Sequence, residues 1–162
     1  MTTEQLRHRM PPILKALKER SLRGRTPVEG LRRTECAYHG WDTVHADAAS
    51  WEPFAPGDAF GGLEAHHCFK GTVTLPEASA GKRVVCLVST GASDIWNNNN
   101  PQFLAYVDGR LVCGLDVNHN EFDLAACAVP GESHELALYV YCNTPARDVF
   151  LRVETAERDD DV

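Results

Sequence analysis

The run Phe103-Leu104-Ala105-Tyr106-Val107-Asp108-Gly109-Arg110-Leu111-Val112 constrains this chain more than any other. Asp-Gly supplies two residues that accept positive φ, as a two-residue hairpin turn requires, and apolar β-formers flank it on both sides. The run therefore predicts two antiparallel strands. From Gly30 onward the rest of the sequence follows the same grammar: short runs of period two, bounded by Gly, Pro, Asn or Asp. Strands are expected near Leu31 to Tyr38, His66 to Leu75, Arg83 to Ser89, Gln102 to Val107, Arg110 to Gly114, Glu121 to Leu124, His134 to Tyr141 and Val149 to Glu154. Alternation places Phe69, Val73 and Leu75 on one face and Lys70, Thr72 and Thr74 on the other. Likewise Leu136, Leu138 and Val140 oppose Glu135, Ala137, Tyr139 and Tyr141.

About eight short strands at this spacing predict a mainly β fold, an antiparallel sandwich of jelly-roll or galactose-binding-like type. A short helical segment precedes them. Thr3 to Arg20 has helical character, with a break expected at Met10-Pro11-Pro12 because proline opens helices and interrupts them. Ile13, Leu14 and Leu17 fall on one side of it, an amphipathic pattern suited to docking on something apolar. The division is a helical lead-in over residues 1–29 and a sandwich over 30–162. Ser50 to Gly62, with Trp51, Phe54 and Phe60, has no period and predicts an irregular segment held over the sandwich by its aromatics.

A length of 162 residues suits one domain, and the formal net charge of −7 argues against a nucleic acid or an anionic membrane as partner. Basic residues gather in the first 33 positions and acidic ones in Glu154 to Asp161, a pattern of solvated ends. Met1 to Leu6 contains no apolar leader core, and no apolar run approaches the ~18 residues of a membrane span. Cys36, Cys68, Cys86, Cys113, Cys127 and Cys142 are widely spaced with no C-x-x-C. These features predict reduced, mostly buried thiols in a cytoplasmic protein, with a disulfide framework as the alternative.

Chemistry is sparse. Metal sites draw ligands in tight groups, and the nearest approach is His66-His67-Cys68, where a strand would send His66 and Cys68 to one face and His67 to the other. No metal site is expected. No G-x-S-x-G elbow occurs. Asp94, Asp116, Glu121 and Asp123 could be paired for acid–base work only by a fold that brings them together. No catalytic residue is assigned. Two polar stretches remain as candidates for a carbohydrate or interface loop: Asp116, Asn118, His119 and Glu121 in one, and Trp96 with Asn100 in the other. Both also suit plain turns, because Asn and Asp bond their own backbone.

Trp51 to Gly62 with His66 and Phe69, then Leu75-Pro76-Glu77 and Gly81 to Val84, and above all Asn100 to Gly109 continuing through Gly114 to His119, resemble the N-terminal domain of glycoside hydrolase family 38 α-mannosidases of bacterial, fungal and cytosolic type. Gly131-Glu132 and Leu138 to Tyr141 extend the likeness. Phe60 stands where that family commonly has Trp, and Asn97 and Asn98 stand where it has an acidic residue. The resemblance implies a non-catalytic domain packing on the catalytic domain of the same polypeptide, supporting assembly or the substrate cleft of an enzyme of mannose metabolism. An autonomous carbohydrate-binding module is the alternative. It also implies zinc in a catalytic domain outside these residues and no cofactor within them. A homo-oligomer and a mannoside glycan are further candidate partners.

Overall fold

The computed structural model describes residues 3–91 and 101–160. It shows the expected mainly β fold: two antiparallel sheets face to face, preceded by one helix. Helix α1 spans Thr3–Arg20 and α2 spans Trp41–His45. The strands are β1 (Leu22–Pro27), β2 (Leu31–Glu35), β3 (Glu52–Phe54), β4 (Ala59–Thr74), β5 (Arg83–Ser89), β6 (Gln102–Val107), β7 (Arg110–Leu115), β8 (Glu121–Ala125), β9 (Ser133–Phe150) and β10 (Arg152–Arg158). One sheet has the order β1-β10-β5-β8, and the other β3-β2-β4-β9-β6-β7. The hairpin expected at Asp108-Gly109 is present, with both residues at positive φ (50° and 74°) and Val107 paired to Arg110.

Between the sheets lies the main core. Phe54, Phe60 and Phe69 meet edge to face at 4.9–6.4 Å between centroids, and Leu138, Val140, Leu151 and Val153 close around them with essentially no exposure. This is the face that Phe69, Val73 and Leu75 were expected to share. The opposite face departs from expectation. Ala137 and Tyr139 are buried, and Lys70 is buried with them. A segment running from Cys36 through α2 to Trp51 roofs the six-stranded sheet and builds a second cluster of Val44, Trp51, Cys68, Tyr106 and Tyr139. Lys70 reaches the rim of that roof, where its ammonium donates to the Ala46 carbonyl at 2.8 Å and pairs with Glu135 at 3.1 Å.

Several boundaries differ from the sequence expectations; β9 runs on to Phe150, so the strand expected over Val149 to Glu154 divides between the end of β9 and β10. Strand β2 stops at Glu35 instead of Tyr38, because the chain turns at His39 and Gly40, both at positive φ, to start α2. Ser50 to Gly62 is not irregular: it supplies β3 and the start of β4, with register shifts around Gly61 and Gly62. Strand β3 carries Pro53 at the edge of its sheet, where a missing N–H costs little. Leu22 to Pro27, inside the lead-in, is likewise an edge strand. Helix α1 runs unbroken through Pro11 and Pro12. The two prolines forgo backbone donors, yet residues 7–20 are all exposed, so water can satisfy the freed carbonyls.

The acidic tail is not a loose solvated end. Strand β10 lies between β1 and β5, so its carboxylates meet the basic residues of distant segments. Asp159 pairs with Arg23 at 2.6 Å, Glu157 with Lys82 at 2.8 Å, and Asp160 with Arg83 at 2.9 Å. Exposed pairs like these contribute about 0–1 kcal/mol each. They tie the tail to Arg23 on β1 and to Lys82 and Arg83 at the head of β5.

Candidate functional site

A groove of about 560 Å³ opens on the roofed face of the six-stranded sheet, beyond the edge of the roof. Its floor comes from Gln102 and Leu104 on β6, Gly114 on β7, and Tyr139 and Tyr141 on β9. These residues share a face because the register pairs Gln102 with Tyr141 and Leu104 with both Tyr139 and Gly114. One wall is the turn at Tyr38 and His39; the opposite wall is the loop after β7, carrying Asp116 and His119.

The Tyr139 hydroxyl organises the first wall. It accepts the His39 backbone N–H at 3.2 Å and lies 2.7 Å from His66 Nδ1. Burial pushes the Tyr139 phenol upward, so it remains protonated at neutral pH. His66 stacks on Tyr139 at 5.9 Å and tilts against Tyr141 at 5.3 Å. Tyr38 sits over His39 at 3.8 Å and stays 70% exposed. The result is an aromatic shelf with one open ring, fixed from beneath.

The second wall is an Asx-type turn. Asp116 Oδ1 accepts the backbone N–H groups of Asn118 and His119, both at 2.7 Å, and the Asp116 N–H donates to the His119 carbonyl at 3.0 Å. The N–H of His119 foremost, then that of Asn118, holds the Asp116 carboxyl below the usual carboxylate range. His119 Nδ1 lies 3.3 Å from the same oxygen, with its ring otherwise in solvent.

Of the six residues singled out in the sequence, the fold brings Asp116 and His119 into the groove. Asn118 sits exposed on the same turn and contributes its backbone N–H. Glu121 belongs to the other sheet, bonded to Arg158 and 3.5 Å from Lys18. Trp96 and Asn100 lie outside the described residues, as does Asp94. Sequence reasoning missed Tyr38, His39, Gln102, Tyr139 and Tyr141. A signal was present in the last two: tyrosines two apart on the polar side of a strand mark a face that is neither core nor plain surface.

As the strand register requires, His66 and Cys68 share the roofed face while His67 turns inward against Phe60 and Phe69. Among the described residues no group of three or more His, Cys, Asp or Glu converges as a metal cage. Asp123 is held by a two-pronged bond from Arg83 at 2.7 and 3.0 Å. No described helix is long and apolar enough to cross a membrane.

No protein-family model and no curated protein matches this chain. Solved structures do. A β-glucuronidase of Bacteroides uniformis superposes with a TM-score of 0.58 at 11% identity, over 83% of this chain and 18% of that one. For a β-glucuronidase of Ruminococcus gnavus the values are 0.58, 8%, 84% and 28%. For a β-glucuronidase of glycoside hydrolase family 2 they are 0.54, 14%, 83% and 18%. What is shared is the sandwich fold. The chain thus spans less than a third of the length of the proteins it matches.

The likeness to family 38 α-mannosidases does not survive: the solved structures named above that share this fold are β-glucuronidases, a different family. The reason is local. Within its described part, Pro101 to His119, the run that carried the likeness is a tight hairpin and an Asx turn, and turn chemistry alone selects Asp108-Gly109 and Asp116-x-Asn118-His119.

Proposed function

We propose that this chain is a non-catalytic β-sandwich domain of a glycoside hydrolase, and that its groove holds a saccharide. The observation carrying this reading is the composition of the groove: tyrosine rings at 38, 139 and 141 beside Gln102, His39, Asp116 and His119. A pyranose presents apolar ring faces and a rim of hydroxyls, so it needs flat aromatic surface and mixed donors and acceptors together. The groove volume falls within the range of small-molecule sites, roughly 300–1,000 Å³. The fold is one found in β-glucuronidases, which makes a glucuronide the first saccharide to test.

The non-catalytic part of the reading is supported by the carboxylates. Glu121 and Asp123 are bound to arginines on the other sheet, and Asp116 is committed to its own turn. None is left facing a second carboxylate across the groove, as glycoside hydrolysis demands. Titration of the chain with methyl β-glucuronide and methyl β-glucoside, followed by amide chemical shifts, is the test. Saturable shifts at Gln102, His119 and Tyr139 that weaken about tenfold in Tyr141→Ala (about 1.4 kcal/mol) are expected. An absence of shifts with either glycoside at millimolar concentration would overturn the saccharide reading.

A second reading has one specific observation in its favour. Met10, Ile13, Leu14 and Leu17 form an apolar row on α1 with exposures of 42–55%. A domain that packs on the rest of a larger enzyme, or on another copy of itself, would cover such a row. Sedimentation showing a dimer that Leu14→Gln dissolves would favour self-assembly.

A further inference from the structure

The roof over the six-stranded sheet is anchored where two thiols meet. Cys36 follows the last residue of β2, and Cys68 lies on β4; their sulfurs are 3.2 Å apart. The strands position them: Thr34 pairs with Cys68, Glu35 with His67, and the Cys36 N–H continues the ladder to the His66 carbonyl at 3.0 Å. Cys68 has no exposure, whereas Cys36 is half-buried and reachable from solvent. We infer that Cys36 and Cys68 are a redox-active pair that closes to a disulfide and pins the segment bearing Tyr38, His39 and α2 onto the sheet. The inference concerns the roof and holds whether or not the groove binds a saccharide.

Geometry and chemistry both favour closure. A disulfide needs its sulfurs about 2.0 Å apart, so the pair must approach by about 1 Å. Cys36 is free to supply that shift, because beyond it the chain leaves the sheet for a turn at His39 and Gly40. The Cys68 S–H donates to Cys36 Sγ, which stabilises a Cys36 thiolate and draws that thiol's pKa down, while Cys68 is held protonated. The roles follow: Cys36 attacks and Cys68 resolves. With a low-molecular-weight disulfide as oxidant, the Cys36 thiolate attacks one sulfur and expels the first thiolate. Cys68 then loses its proton to solvent and attacks Cys36 Sγ, expelling the second. Two protein thiols are oxidised to one disulfide, the oxidant is reduced to two thiols, and the two thiol protons leave with them.

The segment being pinned is already fitted closely. A Cβ on Gly40 would stand 2.5 Å from the Tyr139 ring and 3.1 Å from Cys68 Sγ, so the turn rests directly on the pair. Val44 and Trp51 continue that contact to the start of β3. A covalent tie at Cys36 fixes the entry to this segment; the remainder is held by packing and by single hydrogen bonds such as His39 to Tyr139 and Lys70 to Ala46.

The test is to equilibrate the chain in oxidised and reduced glutathione at graded ratios, alkylate the free thiols, and map the peptides by mass spectrometry. The expected result is one linkage, Cys36 to Cys68, with loss of two hydrogens and the other four cysteines alkylated. Closure is expected to raise Tm by roughly 5–10 °C and to slow amide exchange over residues 37–50 at least about tenfold. Cys36→Ser should abolish the linkage and the Tm rise, while Cys127→Ser, at an exposed cysteine, should leave both intact. Because the linkage is mapped in the unmodified chain, a variant that folds poorly does not decide the matter. Cys36 remaining alkylatable at every ratio, or bonded to a different cysteine, would overturn the pair. A closed pair without slower exchange over 37–50 would overturn the pinning.

Discussion

Gly40 shows how far a single position can be dictated by partners distant in the chain. Its φ is 51°, in the left-handed region, and the Tyr139 ring and Cys68 sulfur fill the space where a Cβ would go. Gly40→Ala is therefore expected to cost about 2–4 kcal/mol, part from the left-handed backbone and part from overpacking, seen as a lower urea midpoint with unchanged slope. A loss under about 0.5 kcal/mol would mean that the roof does not sit as closely as described. At this scale the sequence was legible where the cause is local. Asp108-Gly109 announces its turn through the backbone freedom of two adjacent residues. The bond from His39 to Tyr139 joins residues 100 positions apart, and no local pattern encodes it. The same holds for the groove: Asp116 and His119 were visible as a polar turn, whereas Tyr38 and Gln102 become neighbours only through strand order.

At the scale of elements, period and turn residues located the central strands well. Arg83–Ser89 and Gln102–Val107 came out at the expected bounds, because each is a continuous β-forming run between strong breakers. Of the four edge strands, β7 and β8 were placed to within a residue, whereas β1 and β3 were missed, since a strand with one partner tolerates the very residues that argue against strands elsewhere: Gly24 and Pro27 in β1, Pro53 in β3. Long strands were truncated for the opposite reason, bulges at Gly61 and Gly62 breaking the alternation while the ladder continues. Helix α1 offers a clean comparison of pattern with packing. Leu14 belongs to an apolar row yet is 55% exposed, while Leu138 has no exposure. Leu14→Gln is expected to shift stability by less than about 0.5 kcal/mol in the isolated chain, against about 2–5 kcal/mol for Leu138→Ala. Equal losses by calorimetry would show that α1 packs on the sandwich.

For the whole molecule, acid response follows from one buried ring. His67 is 2% exposed between Phe60 and Phe69, donates one bond from Nε2 to the Gly61 carbonyl, and leaves Nδ1 unpartnered. Burial depresses its pKa below the ordinary 6.5. The unfolded chain then binds a proton that the folded chain refuses, so stability falls as pH drops below about 6.5, by at most about 1.4 kcal/mol per pH unit for one proton. His45 works in the reverse sense. Carbonyls of Trp41 and Gly109 raise its pKa, so its contribution is present at low pH and fades as pH rises through the folded value. Comparing His67→Leu with the parent cancels His45: the variant's urea midpoint should be flatter between pH 5 and 6.5, and an unchanged slope would refute the assignment. The pairing of β4 with β9 has a different kind of consequence. These two are the longest strands, 16 and 18 residues, and they form the centre of the six-stranded sheet. Strand β9 lies late in the chain, so during synthesis β2, β3 and β4 emerge well before the strand that must lie beside them. Until then β4 has β2 on one side only, and the growing chain carries an open, apolar edge where β9 will lie. Folding on the ribosome would be a matter of waiting, and the cell's means of shielding that edge would govern the yield of the finished sandwich as much as its final stability does.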